Sequence, residues 1–276
     1  MKRLFSFLIL IFVCFLPSSL LTGQERSLSI TVLPTNLLMP KLTANATEHG
    51  LSLAKILTRN HFWAGIGGRV PALGFKYGHI IGDLVLASTI YSQLDRKSGS
   101  IRVINTDFYV DVLLSMTWNE KTYVQIGPGH TSQHLNDDAY EIFNLGHSIN
   151  YVRDYVKLVV LQKSEFIHGF VYIAAYYHHT FKIPIPGNHI WLFDFGMDAL
   201  NYQFSEFTSA YVAIDIKLRD EFRFGSTQSY QAGIKIKGAS LSTVRIAYNY
   251  RTGYEERGQF FSQKIDLHTL GAYFDL

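Results

Sequence analysis

Residues 210–219 read Ala210-Tyr211-Val212-Ala213-Ile214-Asp215-Ile216-Lys217-Leu218-Arg219, and the two parities of this run carry opposite chemistry. Ala210, Val212, Ile214, Ile216 and Leu218 make one apolar set, while Tyr211, Ala213, Asp215, Lys217 and Arg219 make the other. The pattern returns twice. Tyr230, Ala232, Ile234 and Ile236 alternate with Gln231, Gly233, Lys235 and Lys237, and Val244, Ile246, Tyr248 and Tyr250 alternate with Thr243, Arg245, Ala247, Asn249 and Arg251. Side chains that follow one another along a strand point to opposite faces, so each segment has one apolar and one polar, often charged, face.

A soluble antiparallel sandwich also alternates, but three features favour an all-β, antiparallel transmembrane β-barrel. The segments are about ten residues or longer, which suits a tilted spanning strand better than a globular strand of five or six. Their polar faces carry charges in succession, as a hydrated or ion-paired lumen would. The final run Tyr273-Phe274-Asp275-Leu276 puts Phe274 and Leu276 on one face and resembles the closing strand of a bacterial outer-membrane barrel. No apolar stretch after Leu21 is long enough for a spanning helix, and 17 Tyr and 20 Phe are enough for aromatic girdles at two membrane interfaces.

The opening residues predict the compartment. Met1-Lys2-Arg3 is basic, Leu4 to Leu16 is apolar apart from Ser6, and Ser18, Ser19, Thr22 and Gly23 are small. This is the pattern of a secretory signal peptide over 1–23, cleaved near Gly23 to leave Gln24 first and sending the chain to the outer membrane of a Gram-negative-type bacterium. The apolar core falls short of the ~20 residues a permanent helical anchor needs. Cys14, the one cysteine, lies within it, so the mature chain has neither a disulfide framework nor a cysteine metal site. Losing Lys2 and Arg3 lowers the formal charge from +3 to +1. Nothing in that balance points to nucleic acid; the expected partner is membrane lipid.

Along the mature chain the alternation predicts about twelve strands: 50–58, 62–70, 80–93, 104–118, 120–133, 149–163, 165–180, 190–203, 207–219, 226–238, 240–251 and 262–276. The connections 94–103, 134–148, 181–189 and 252–261 are expected to be long, the others short, in the habit of outer-membrane barrels. Residues 24–49, with Pro34, Pro40 and little alternation, form a lead-in or plug-like segment ahead of a barrel over 50–276.

Three landmarks carry a family resemblance. The lead-in Leu33-Pro34-Thr35-Asn36-Leu37-Leu38-Met39-Pro40-Lys41-Leu42-Thr43-Ala44, the block His130-Thr131-Ser132-Gln133-His134-Leu135-Asn136-Asp137-Asp138 and the late Gly258-Gln259-Phe260-Phe261 resemble, in that order, the domain-of-unknown-function twelve-oh-seven family. The resemblance implies a bacterial outer-membrane barrel of unassigned function. The chain departs from the family's central block at Gln133 and Asn136.

That block also holds the one constellation with chemistry. His130-Thr131-Ser132 is similar to the His-x-Ser pair that outer-membrane phospholipase A and lipid A deacylase families use as base and nucleophile. Serine is a weak nucleophile until a neighbouring base takes its proton, and residues i and i+2 of a strand share a face. By parity, His130 and Ser132 fall with Val124 and Ile126, toward lipid, unless a bulge at Pro128 turns them inward. A third member would orient the histidine. Asn150 is the first candidate, at the height of His130 in a regular hairpin, and Asn144 and Asp154 are others; the phospholipase resemblance implies an asparagine.

Asp137, Asp138 and Glu141 could collect calcium at the rim, or be a solvated loop. His130 with His134, and His178 with His179, lack the geometry for zinc. Ala64-Gly65-Ile66-Gly67-Gly68 lacks the glycine spacing of a phosphate loop and reads as barrel wall. Three readings of function stand: a barrel of unassigned activity, a lipid esterase using Ser132, His130 and Asn150, and a small pore or transporter lined by Asp215, Lys217, Arg219, Lys235, Lys237, Arg245 and Arg251.

Overall fold

The structure, a computed structural model, describes residues 27–97, 99–144, 147–182, 185–238, 242–257 and 259–275. The expected signal peptide, 1–23, lies outside the described residues. Thirteen strands form one antiparallel sheet: β1 Leu28–Val32, β2 Leu51–Ile56, β3 His61–Tyr77, β4 Ile80–Lys97, β5 Ser100–Thr117, β6 Thr122–Leu135, β7 Tyr151–Ser164, β8 Gly169–Lys182, β9 Trp191–Gln203, β10 Thr208–Arg219, β11 Gly225–Lys237, β12 Thr243–Tyr254 and β13 Lys264–Asp275. Strands β2 to β13 follow sequence order around a closed twelve-stranded barrel, with β13 paired to β2. One helix, α1 Asp137–Phe143, lies between β6 and β7.

The spanning strands are mostly 12 to 18 residues long. At ~3.3 Å per residue and a tilt near 45°, twelve residues cross about 28 Å, close to the ~30 Å hydrocarbon core of a bilayer. The outward parity is apolar and exposed, as at Leu86, Val110, Ile173 and Ile246, while the inward parity is buried and polar, as at Asp107, Asp111, Asp215, Lys217, Arg219, Arg245 and Arg251. Aromatic side chains sit on the outer surface near both ends, Tyr177, Trp191 and Phe193 at the end of the long connections and Trp118, Tyr202 and Phe207 at the other.

Two expected boundaries are corrected. Strand β3 continues from Val70 to Tyr77, and β4 and β5 stay paired out to Lys97 opposite Ser100, so 94–103 is a tight hairpin and not a long loop. Pro71 lies at a register shift in the β3–β4 ladder, the kind of position where a missing N–H does least damage. The register shift at Gln93/Leu94 leaves Ile104 of β5 unpaired, so Asp95 keeps the inward parity of Gln93 and Arg102 of β5 is turned to meet it.

The lead-in runs first outside and then inside the wall. β1 pairs with β3 at 73–77, beyond the end of the six-residue β2. The chain then enters the lumen and touches it on several sides. Leu38 N donates to Asp83 Oδ2 at 2.8 Å, Thr43 Oγ1 to Asp198, Asn45 Nδ2 to Asp194 Oδ2 at 3.0 Å, and His49 Nε2 meets Asp111 Oδ2 at 3.1 Å. Met39 and Leu42 pack against Tyr123, Val159, Leu161, Phe170 and Tyr172. The opposite end is filled by the β12–β13 connection, whose Glu255, Glu256, Arg257 and Phe261 are buried. Lys217 joins the two fillings, donating to Asn45 Oδ1 at 2.8 Å and to Glu256 Oε2 at 2.6 Å. Pairing of this kind is what keeps buried charge tolerable.

Candidate lipid-facing site

Strand β6 positions the block His130-Thr131-Ser132-Gln133. Pro128 lacks an N–H, and the β5–β6 ladder has no paired residues between Asp111↔Gly129 and Leu114↔Ile126, yet the register is the same on both sides. The β6–β7 ladder runs through Pro128 without a shift. No bulge therefore turns the block. Thr131 and Gln133 are buried in the lumen, and His130 and Ser132 share the outward face with Val124 and Ile126. Gln133, where the block departs from the family pattern, donates to Tyr109 Oη at 3.3 Å and to the Glu256 carbonyl at 3.2 Å, holding the outer filling.

His130 lies directly across from Asp154 of β7, and its Nδ1 is 2.6 Å from Asp154 Oδ1. The two side chains keep 44% and 35% of their exposure, which places the pair on the outer surface. With Nδ1–H donating to the carboxylate, the neutral ring presents the Nε2 lone pair as a proton acceptor. Ser132 is opposite Phe108 of β5 and Val152 of β7, and its hydroxyl has no hydrogen-bond partner among the described residues. Val152 is in turn opposite Lys182 of β8, an exposed cation that sequence reading did not single out. Its signal was the register, which is not visible before the bulge between Asp154 and Tyr155 is known.

Asn150 does not occupy the orienting position. It precedes β7, whose first residue Tyr151 pairs with Gln133, so the residue at the height of His130 is Asp154, four places further on. Asn144 ends α1 in the left-handed conformation, with φ of 51°. Asp138 on α1 accepts from the Val103 amide at 2.9 Å, and among the described residues no group of three or more His, Cys, Asp or Glu is arranged to hold a metal ion. The site lies toward the long connections, with Asp154 two residues along β7 from Val156, the neighbour of Tyr177 in the aromatic belt.

A closed, antiparallel twelve-stranded wall with an apolar exterior and a polar interior defines a β-barrel of the outer-membrane type. A family model described as a protein of unknown function, DUF1207, matches residues 54–276, and the chain belongs to that family. No curated protein matches it. Among solved structures it is similar to outer membrane phospholipase A from Escherichia coli, at 12% identity over 87% of this chain and 96% of that one, with a TM-score of 0.50. At that identity the likeness concerns the fold alone.

Proposed function

We propose that this barrel is an outer-membrane lipid esterase in which Ser132 is the nucleophile, His130 the general base and Asp154 the residue that orients it. The observation that carries the reading is the 2.6 Å contact between His130 and Asp154 on the lipid-facing wall, with Ser132 two residues away on the same face. An ionisable pair facing a bilayer is expensive, and such residues mark function more often than they serve packing. In the reaction, Ser132 Oγ attacks the ester carbonyl while His130 Nε2 takes the hydroxyl proton. The imidazolium, stabilised by Asp154, returns that proton to the departing alkoxide, and water then releases the fatty acid by the same route. Residues two apart on a strand are only ~6.6 Å apart at Cα, a separation that side-chain rotation can bridge. Lys182 is placed to meet an anionic headgroup. The filled lumen favours this reading over a pore.

The test is fatty-acid release from phospholipid or lipopolysaccharide by the purified, folded protein. Ser132→Ala and His130→Ala are expected to abolish it, and Asp154→Asn to lower kcat/KM on the order of 10²- to 10⁴-fold. Asn150→Ala is expected to leave the rate unchanged. Activity that survives both Ser132→Ala and His130→Ala overturns the reading.

A further inference from the structure

Behind the short strand β2, between the lead-in and the wall, lies a second interior feature that the esterase reading does not use. It is a cavity of about 40 Å³ lined by Trp63, Tyr91, Arg245, Arg251 and Arg257 together with Lys41 of the lead-in. It has room for about three waters, a bulk comparable to one tetrahedral oxyanion.

Its charged lining is mostly cationic, and its one carboxylate, Glu48, is already paired with Arg69 at 3.2 Å. Arg257 is 7% exposed, and its guanidinium has no hydrogen-bond or ion-pair partner among the described residues; it lies 4.7 Å from the ring centroid of Trp63 and 4.9 Å from that of Tyr91. Arg251, 2% exposed, spends Nη2 on Glu255 Oε1 at 2.7 Å, but its Nε and Nη1 have no acceptor. The Nε of Arg257 and the indole Nε1 of Trp63 are likewise buried without one. Lys41 and Arg245 share a single carboxylate, Asp275, at 2.8 and 2.7 Å. Buried donors are normally satisfied, and leaving a charged one unpaired costs more than leaving a neutral one. Four unsatisfied N–H groups on three residues around one cavity outnumber the one buried carboxylate oxygen left free beside them, Glu256 Oε1 at 3.8 Å from Arg251 Nη2, so the chain does not supply enough acceptors.

We infer that this cavity is a binding site for a small oxyanion of the phosphate class, held by the guanidinium groups of Arg251 and Arg257. Planar guanidinium forks match tetrahedral oxyanions better than they match halides, and the Arg257 guanidinium already rests against two aromatic rings before anything binds. The site is separate from the His130–Asp154 pair and does not depend on esterase activity.

Inorganic phosphate is the probe, with the full mature chain folded in detergent micelles. Equilibrium dialysis with radiolabelled phosphate should give saturable binding of one anion per chain. At constant ionic strength, exchanging chloride for phosphate should raise the thermal unfolding midpoint to a plateau. Arg257→Gln should abolish both effects while keeping the compact, heat-modifiable band of a closed barrel on electrophoresis. If Arg257→Gln fails to close, the dialysis on the unaltered protein still decides. No saturable phosphate uptake at millimolar concentration means that the cavity holds only water and overturns the inference. So does equal binding by a closed Arg257→Gln barrel, or chloride competing as well as phosphate.

Discussion

Asp154 and Asn150 differ by four positions and a charge, and which of them meets His130 depends on how long the outer hairpin is. Counting from a regular turn favours Asn150, but β7 starts only at Tyr151, and the ladder brings Asp154 to the histidine. Another single residue, Glu221, carries a pH dependence. It sits in the short 3-10 turn Asp220–Phe222 between β10 and β11, outside the spanning strands. Burial alone would push its carboxyl up, but Arg153 and Arg219, with contacts at 2.5 and 2.8 Å, outweigh that and bring it down from 4.5 to about 2. A carboxylate with a depressed folded value stabilises the fold above its unfolded value and loses that contribution as pH falls through the folded one. Thermal stability should therefore fall between about pH 4.5 and pH 2, by at most ~3.4 kcal/mol from this group. Glu221→Gln should be less stable at neutral pH and should flatten that part of the profile.

At the scale of elements, all twelve wall strands were legible because a one-sided environment forces polarity to alternate every second residue. Their ends were less so. In β3 and at the β4–β5 hairpin, Pro71, Gly74 and the charged run Asp95-Arg96-Lys97 obscured strand that the ladder nevertheless continues through. The lead-in was recognisable as something other than wall, by its prolines and lack of alternation, but its contacts were not. Its partners Asp83, Asp111 and Asp194 lie some 45 to 149 residues away in sequence, and no local pattern encodes them. The outer filling at Glu255 to Phe261 was hidden for the same reason. Leu42 tests whether the lead-in is built in or merely lodged. At 5% exposure and packed on the wall, Leu42→Ala should cost about 2–5 kcal/mol, read as a lower urea midpoint of the barrel in micelles.

Across the whole molecule, most of the charged residues that sequence reading placed in the lumen do face inward, where they bind the two fillings and each other, while Lys237 at the end of β11 is exposed. Lys157 contacts Asp111 at 2.5 Å, and Arg245 contacts Asp275 at 2.7 Å. The protein should accordingly show no conductance steps in a planar bilayer, while removing residues 34–48 should produce them. Steps from the intact protein would contradict the filled lumen. The lead-in is continuous with β2 and hydrogen-bonded to β4, β5 and β9, strands that stand side by side before β13 meets β2, so it is expected to be seated before the barrel closes. That expectation sets an order of assembly: residues 34–48 wait inside while the last strand arrives. They act as a mandrel around which the cylinder is drawn shut. Residues 34–48 added as a separate peptide to the closed deletion variant should therefore leave its conductance in place.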